Sequence, residues 1–427
     1  MRVSFYTLGC KVNQYETQIL SQMFLADGFD VVDFDEQADV CVINSCTVTA
    51  SGDRKMRQII RKAKQISKDA AVCVTGCFPQ AFPNIDIEGA DIITGNQNRK
   101  AVLLNTKKFL LNREKIVDIT PHTKNEEFEE MRADGFLERT RATIKIEDGC
   151  DRFCTYCIIP YARGPIRSKS LEDIKAEAEN LAEKGYREIV LVGINLSSYG
   201  KHTENRLIDA IKTVCEVEGI DRVRLGSLEP ELLSDGDIQE MAKLEKFCPQ
   251  FHLSLQSGCD ETLKRMNRHY DTKEYKRIVD TIRKNFDNPA ITTDIMVGFA
   301  GETQEEFEKS LNFSKEIGFA KAHVFSYSRR TGTKAASMPN QVPNNVKKQR
   351  SIRLINTLEQ SRAEFLNSQI GTFAEVLFET ADKTGNHGYT KNYTPVYVKT
   401  TRDLRGQILK VKITDVKNDY CFAQLED

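Results

Sequence analysis

Short apolar runs alternate with stretches of helical spacing through the first hundred residues. Residues 3–8, 40–43, 72–74 and 91–94 read as buried strands, with amphipathic helices over 14–26 and 54–67 between them. This alternation predicts an α/β domain over 1–112, built on an open parallel sheet with helices on both faces. From about residue 107 to 138 the period fades, and 123–130 is polar and acidic, so 113–137 reads as a linker. Alternation then resumes. Strands are expected at 142–146, 188–192, 222–225, 251–255, 291–297 and 322–327. Helices are expected at 171–184, 207–218, 237–247, 273–285, 304–317 and 344–367. Six units are too few for an eight-unit barrel. They predict a partial (βα)6 barrel over 138–368, with reactive groups where strands end in loops. In the tail, 369–427, runs at 373–379, 394–400 and 407–416 alternate apolar and polar residues, which predicts a small all-β barrel.

Composition sharpens this picture in two places. Lys and Arg number 61 against 62 Asp and Glu, so any RNA-binding surface must come from local clustering rather than net charge. The first ten residues carry no apolar run fit for a signal peptide, and no stretch approaches a membrane span. The expectation is a cytoplasmic protein without membrane contact, in a compartment where structural disulfides are rare. Its 12 cysteines then call for metal binding or catalysis.

Two sets of three cysteines stand out. Cys150, Cys154 and Cys157 form C-x3-C-x2-C just past the first barrel strand. Three thiolates in one loop can hold three irons of a [4Fe-4S] cluster and leave the fourth open to an amino-acid-like chelate such as the amino and carboxylate groups of S-adenosylmethionine (SAM). A thioredoxin-like C-x-x-C pair would not need the cysteine four residues upstream. A zinc site would need a second ligand pair nearby. Cys10, Cys46 and Cys77 each follow a small residue just past the carboxyl end of a predicted parallel strand. Strand ends line one edge of an open parallel sheet, so the three thiols converge on a second cluster site; the bland alternative is three small buried hydrophobes. Cys41, Cys73, Cys215, Cys248, Cys259 and Cys421 share no spacing and read as packing residues. The six histidines show no ligand pairing, and no Ser-His-Asp set or phosphate-binding glycine loop is visible.

With these residues in place, the chain resembles the radical SAM methylthiotransferases over nearly its whole length. The first domain does so through LGCKVNQ (8–14), NSCTV (44–48) and TGC (75–77). The barrel does so through GCDRFCTYCIIPYARG (149–164), SLQSG (254–258) and DIMVGFAGET (294–303). The tail resembles the TRAM RNA-binding barrel through GTFAEVLFE (371–379) and YTPVYV (393–398). The resemblance implies two [4Fe-4S] clusters, with SAM cleaved at the Cys150 cluster to a 5′-deoxyadenosyl radical. The auxiliary cluster would supply sulfur, and a second SAM per turnover the methyl group. It also implies a tRNA substrate, an external electron donor and a monomeric enzyme. Within the family-like segments, Tyr156 (backbone), Gly193, Asn195, Arg224, Gln256 and Asp294 lie near predicted strand ends and are the expected SAM contacts.

Subgroup cues point further. Lys11 and Val12 follow the first cysteine, and DGCDRFC (148–154) and RLGSLEP (224–230) complete the pattern. These resemble the MtaB type, which methylthiolates N6-threonylcarbamoyladenosine beside the anticodon. Alternatives are the types acting on isopentenyladenosine in tRNA or on a ribosomal-protein aspartate, and, from another class, an iron–sulfur RNA-binding or electron-transfer module without methylthio transfer. A threonylcarbamoyl carboxylate wants an Arg or Lys. Arg163, Arg329 and Arg330 are the first candidates, with Arg167 and Arg224 behind them. Basic residues from Arg54 to Lys64, just after the Cys46 loop, read either as a phosphate track or as a solvated helix face. Tyr389, Tyr393 and Tyr397 in the tail read either as base-stacking or as core residues.

Overall fold

A computed structural model describes residues 1–135 and 140–426. The expected boundary between linker and barrel, at 137/138, lies outside the described residues. The amino-terminal sheet is wholly parallel, in the order β2-β1-β3-β4-β5-β6. Its strands are β1 (Arg2–Thr7), β2 (Asp30–Val32), β3 (Val40–Ser45), β4 (Ala71–Gly76), β5 (Ile92–Thr94) and β6 (Ile116–Asp118). The central strands are buried on both faces, as their unbroken apolar runs require. The helices are α1 (Lys11–Ala26), α2 (Ala50–Ile66), the short α3 (Cys77–Ala81) and α4 (Lys100–Asn112). α4 continues well into the segment read as fading, because its apolar residues Ala101, Val102 and Phe109 still meet the sheet.

The middle domain is a partial barrel of six main parallel strands: β7 (Arg141–Lys145), β10 (Glu188–Val192), β11 (Arg222–Leu225), β13 (Gln250–Leu253), β14 (Ala290–Val297) and β15 (Lys321–Ser326). The small pairs β8 (Glu147–Asp148) with β9 (Arg167–Ser168), and β12 (Ser227–Leu228) with β13, trim the mouth. One large core lies between strands and outer helices, and Tyr15 and Ile19 of α1 enter it. Tyr15 donates its hydroxyl proton to Met131 O (3.0 Å) and Glu177 (2.9 Å), so α1 belongs structurally to both domains.

The tail closes into a five-stranded barrel of β16 (Phe373–Ala381), β17 (Asn386–Thr390), β18 (Pro395–Val398), β19 (Ile408–Lys417) and β20 (Tyr420–Leu425). Its 390–394 turn caps the amino ends of the barrel strands. Arg222 donates to Tyr389 O (3.0 Å) and Glu375 O (2.9 Å), and Arg224 to Lys391 O (2.9 Å). Tyr389 and Tyr393 stack on each other at 4.4 Å, and Tyr393 lies against Arg224 and Arg141. These two tyrosines are therefore spent at the domain junction. No helix among the described residues is long and apolar enough to cross a membrane.

Candidate active site

The auxiliary thiols are gathered by strand register. β1 pairs with β3 (Thr7 opposite Asn44) and β3 with β4 (Ser45 opposite Gly76), so Cys10, Cys46 and Cys77 leave the sheet at one edge. Gly9 has φ +108°, and a Cβ there would stand 2.8 Å from Cys46 Cβ, so only glycine lets the two turns approach. Asn13 ties them together, donating to Leu8 O (2.8 Å) and Ser45 O (3.1 Å). Burial pushes the Cys77 thiol up to about 12. The nearby thiols of Cys46 and Cys10 add to the rise, while Arg163 opposes it.

The second set lies in the loop between β8 and α5 (Ile159–Arg163). Gly149 has φ +96°, and a Cβ there would meet Pro165 O at 1.8 Å. Arg268 donates to Cys154 Sγ (3.4 Å), and the Ile159 amide to Cys157 Sγ (3.4 Å). Burial pushes the Cys157 thiol up to about 12, and Cys150 upward as well, with the companion thiols contributing to both. Such thiols stay protonated unless irons replace the protons. The described residues hold no His, Cys, Asp or Glu group suited to a single metal ion. Ligands of one zinc would all crowd to about 2.3 Å from it, whereas thiols at separate corners of a four-iron cluster need not. Both donor sets, all thiol and drawn together by the backbone, fit such clusters.

α5 joins the two sets. Cys157 precedes it, and Arg163 at its end donates from Nε to Cys77 Sγ (3.2 Å). Five residues make a helix about 7.5 Å long. Arg163 is 0% exposed and also meets Asn13 Oδ1 (2.7 Å), Glu16 (2.5 Å) and Asp148 (3.4 Å). Arg99, Lys145 and Arg167 complete this buried charge network. Burial disfavours the charged form of Glu16, yet Arg163, Arg99 and Lys145 together bring its carboxyl down to about 2. A second clasp joins Arg330, past β15, to Asp53 (3.1 Å from Nη2 to Oδ1) and Thr47 beside Cys46.

At the barrel mouth, Asn195 donates its amide to Glu147 (2.7 Å) and leaves its own Oδ1 buried without a partner, as does Gln256 with Oε1. Gly193 packs on Glu147, where a Cβ would stand 2.5 Å from Oε2. Gln256 has φ +62° and donates its amide to Asp294 O (2.9 Å). The Asp294 carboxylate meets His252 at 3.3 Å. Tyr156 packs on Phe299 and takes a hydrogen bond from Arg268. Two orphaned acceptors just past the carboxyl ends of β10 and β13 fit a ligand rich in donors, such as the amino and ribose groups of SAM. Arg224 corrects the expectation. It is 1% exposed, paired with Glu188 (2.7 Å) and bound to tail carbonyls at the amino end of the barrel, so it is not in the SAM group. Arg163 and Arg330 are likewise engaged with carboxylates rather than open to a substrate. Arg329 is exposed and donates from Nε to Ala336 O (2.6 Å). Sequence reading missed Arg268, Glu16 and Asp148. Asp148 and Asn13 lie inside the family-like motifs, whereas nothing in the sequence around Arg268 marks it.

Comparison with known proteins agrees with this geometry. Residues 144–314 match the radical SAM superfamily, 2–95 match the uncharacterized protein family UPF0004, and 367–425 match the TRAM domain. The chain is 41% identical, over 96% of its length and 93% of the relative's, to the threonylcarbamoyladenosine tRNA methylthiotransferase MtaB of Bacillus subtilis. It is 36% identical, over 95% of its length and 93% of the relative's, to a tRNA-2-methylthio-N(6)-dimethylallyladenosine synthase of Clostridium botulinum. Among solved structures it is similar to the radical SAM methyltransferase TsrM of Kitasatospora setae, with a TM-score of 0.60 at 15% identity, covering 78% of this chain and 77% of that one. That last likeness speaks for the fold. With the thiol sets, the three domains and relatives that span almost the whole chain, the protein belongs to the radical SAM methylthiotransferases.

Proposed function

We propose that this enzyme installs the 2-methylthio group on N6-threonylcarbamoyladenosine in tRNA, acting as a monomer fed by an external electron donor. The observation that carries the reading is the placement of Cys10, Cys46 and Cys77 across α5 from Cys150, Cys154 and Cys157. An auxiliary sulfur source beside a radical site is what insertion of sulfur into an unactivated C–H bond requires, since acid–base residues cannot open that path. When bound, two [4Fe-4S] clusters and two SAM molecules per turnover would supply the electron, the radical, the sulfur and the methyl group. The chain's own residues bind and align. Each cysteine triad would hold one cluster. Asn195 and Gln256 offer free acceptors to SAM, with Gly193, Asp294 and the Tyr156 backbone around them. Arg163 and Arg330 hold the amino-terminal domain over the mouth. Arg329 is the guanidinium left to grip the threonylcarbamoyl carboxylate. The 41% identity to the Bacillus subtilis MtaB, against 36% to the Clostridium botulinum dimethylallyladenosine synthase, favours this substrate.

The test is anaerobic turnover of the reconstituted enzyme on tRNA bearing either nucleoside, followed by nucleoside mass spectrometry. Conversion of the threonylcarbamoyl tRNA is expected. Conversion of the dimethylallyl tRNA alone would refute the substrate. A Cys46→Ala variant should still form 5′-deoxyadenosine yet give no methylthio product.

A further inference from the structure

α2 carries a surface that the chemistry above leaves unused. Its buried side is Met56, Ile59, Ile60 and Ala63, and its solvent side presents Arg54, Lys55, Arg57, Arg61 and Lys62. The helix holds six cations and a single acid, Asp53, and that acid is taken by Arg330. Lys62 pairs with Asp35 and Lys64 with Asp91. Arg54, Lys55, Arg57 and Arg61 have no ion-pair or hydrogen-bond partner among the described residues. Other basic helices here interleave acids: on Thr272–Asn285, Lys276 meets Asp280 and Arg277 meets Asp235. In a chain of net charge −1, four neighbouring cations, of which Arg57 alone feels an acid, the Asp53 already held by Arg330, are a local excess with no structural use.

Their placement gives the excess a direction. Arg54, Arg57 and Arg61 follow i, i+3, i+7, which lines them along one face over about 10 Å. The stripe begins one residue after Asp53, where Arg330 clasps α2 to the barrel, and eight residues after Cys46. It therefore runs outward from the lip of the site where the modified base must enter.

We propose that α2 is a phosphate rail, on which Arg54, Lys55, Arg57 and Arg61 bind the backbone of the RNA strand flanking the target nucleoside. This rests on the reading that the substrate is RNA, but not on which adenosine is modified. Phosphate contacts fix register and orientation without reading sequence, so the rail would hold the strand while the mouth selects the base.

The experiment measures binding of a fluorescein-labelled, unmodified tRNA transcript to the reconstituted enzyme across a salt series. The variant replaces Arg54, Lys55, Arg57 and Arg61 by Gln, and a half variant replaces only Arg57 and Arg61. Exposed helix positions tolerate Gln, and a melting curve checks each protein. Each lost phosphate contact lowers the log–log salt slope by about 0.7–0.9. The fourfold variant should therefore lose about three from the slope and at least ~10-fold in affinity near 0.15 M salt. The half variant should lose about half that slope, which keeps the test decisive if the fourfold protein misfolds. A control with Lys273→Gln and Lys284→Gln should bind as the parent does. Equal losses from control and rail, or an unchanged slope in the variants, would overturn the proposal. So would a variant that binds tRNA normally but is slow only with an acidic protein reductant, since the helix would then serve the electron donor. A parent enzyme with no salt-dependent tRNA binding would refute the RNA reading itself along with the rail.

Discussion

Replacing Arg163 by Met removes one cation from a buried network while keeping its volume apolar. Glu16 lies 2.5 Å from that guanidinium, and its carboxyl is held at about 2 instead of 4.5. Burial alone would raise it; Arg163, Arg99 and Lys145, in that order of strength, overcome the burial. A depression of this size corresponds to roughly 3 kcal/mol at neutral pH. Removing one partner of a buried pair costs about 3–5 kcal/mol. Because Arg99 and Lys145 remain, the expected loss is about 2–4 kcal/mol. It should appear where Glu16 resides, as faster native-state hydrogen exchange across α1 in the reduced, cluster-free protein. The pH dependence has a definite sign. A depressed carboxyl contributes stability above about pH 4.5, lost as pH falls toward 2, so the parent's α1 protection should drop across that window and the variant's should drop less. Protection at pH 7 within about 1 kcal/mol of the parent, with the acid limb intact, would show that the network does not hold the domains.

Three further outcomes follow from neighbouring features. Arg330→Ala should keep 5′-deoxyadenosine formation but lower methylthio product by up to ~100-fold, because it loosens the Cys46 turn without touching the residues proposed for SAM; equal losses in both assays would contradict this. Burial holds the Glu147 carboxyl well above its ordinary range, so folding favours its protonated form and the native state loses stability as pH rises past the unfolded value. Glu147→Gln should therefore be more stable than the parent to chemical denaturation at pH 8, with a smaller gap at pH 5. Tyr393→Ala removes the ring over Arg224 and Arg141 and should cost about 2–4 kcal/mol, read as loss of hydrogen-exchange protection in residues 386–398.

Central elements were legible because their signals are long. Gln304–Ile317 and Asn344–Asn367 coincide with their apolar periods, and the strands that precede Cys46 and Cys77 open on continuous apolar runs. The edge strands Asp30–Val32 and Ile116–Asp118 are three residues long and half exposed, too short to impose a pattern. Arg224 shows a subtler limit. Its strand was placed correctly, but a strand position does not say toward which end a long side chain reaches, and the tail carbonyls that receive it lie more than 160 residues away in sequence. Arg268 was silent for the same reason, since its partners Cys154 and Glu229 come from other loops.

The tail turn at the foot of the barrel has a consequence in time. Arg222 and Arg224 are buried beside the carboxylate of Glu188, and their terminal guanidinium nitrogens donate to carbonyls from residues 375–391. A nascent chain ending before that turn would have to leave those donors unmet or keep the strand start open to water. During synthesis, the strand start around Arg222 and Arg224 therefore stays open to water until the last domain has emerged. Closing of the barrel at its foot, the end opposite the Cys150 loop, then becomes a late event in the life of each molecule.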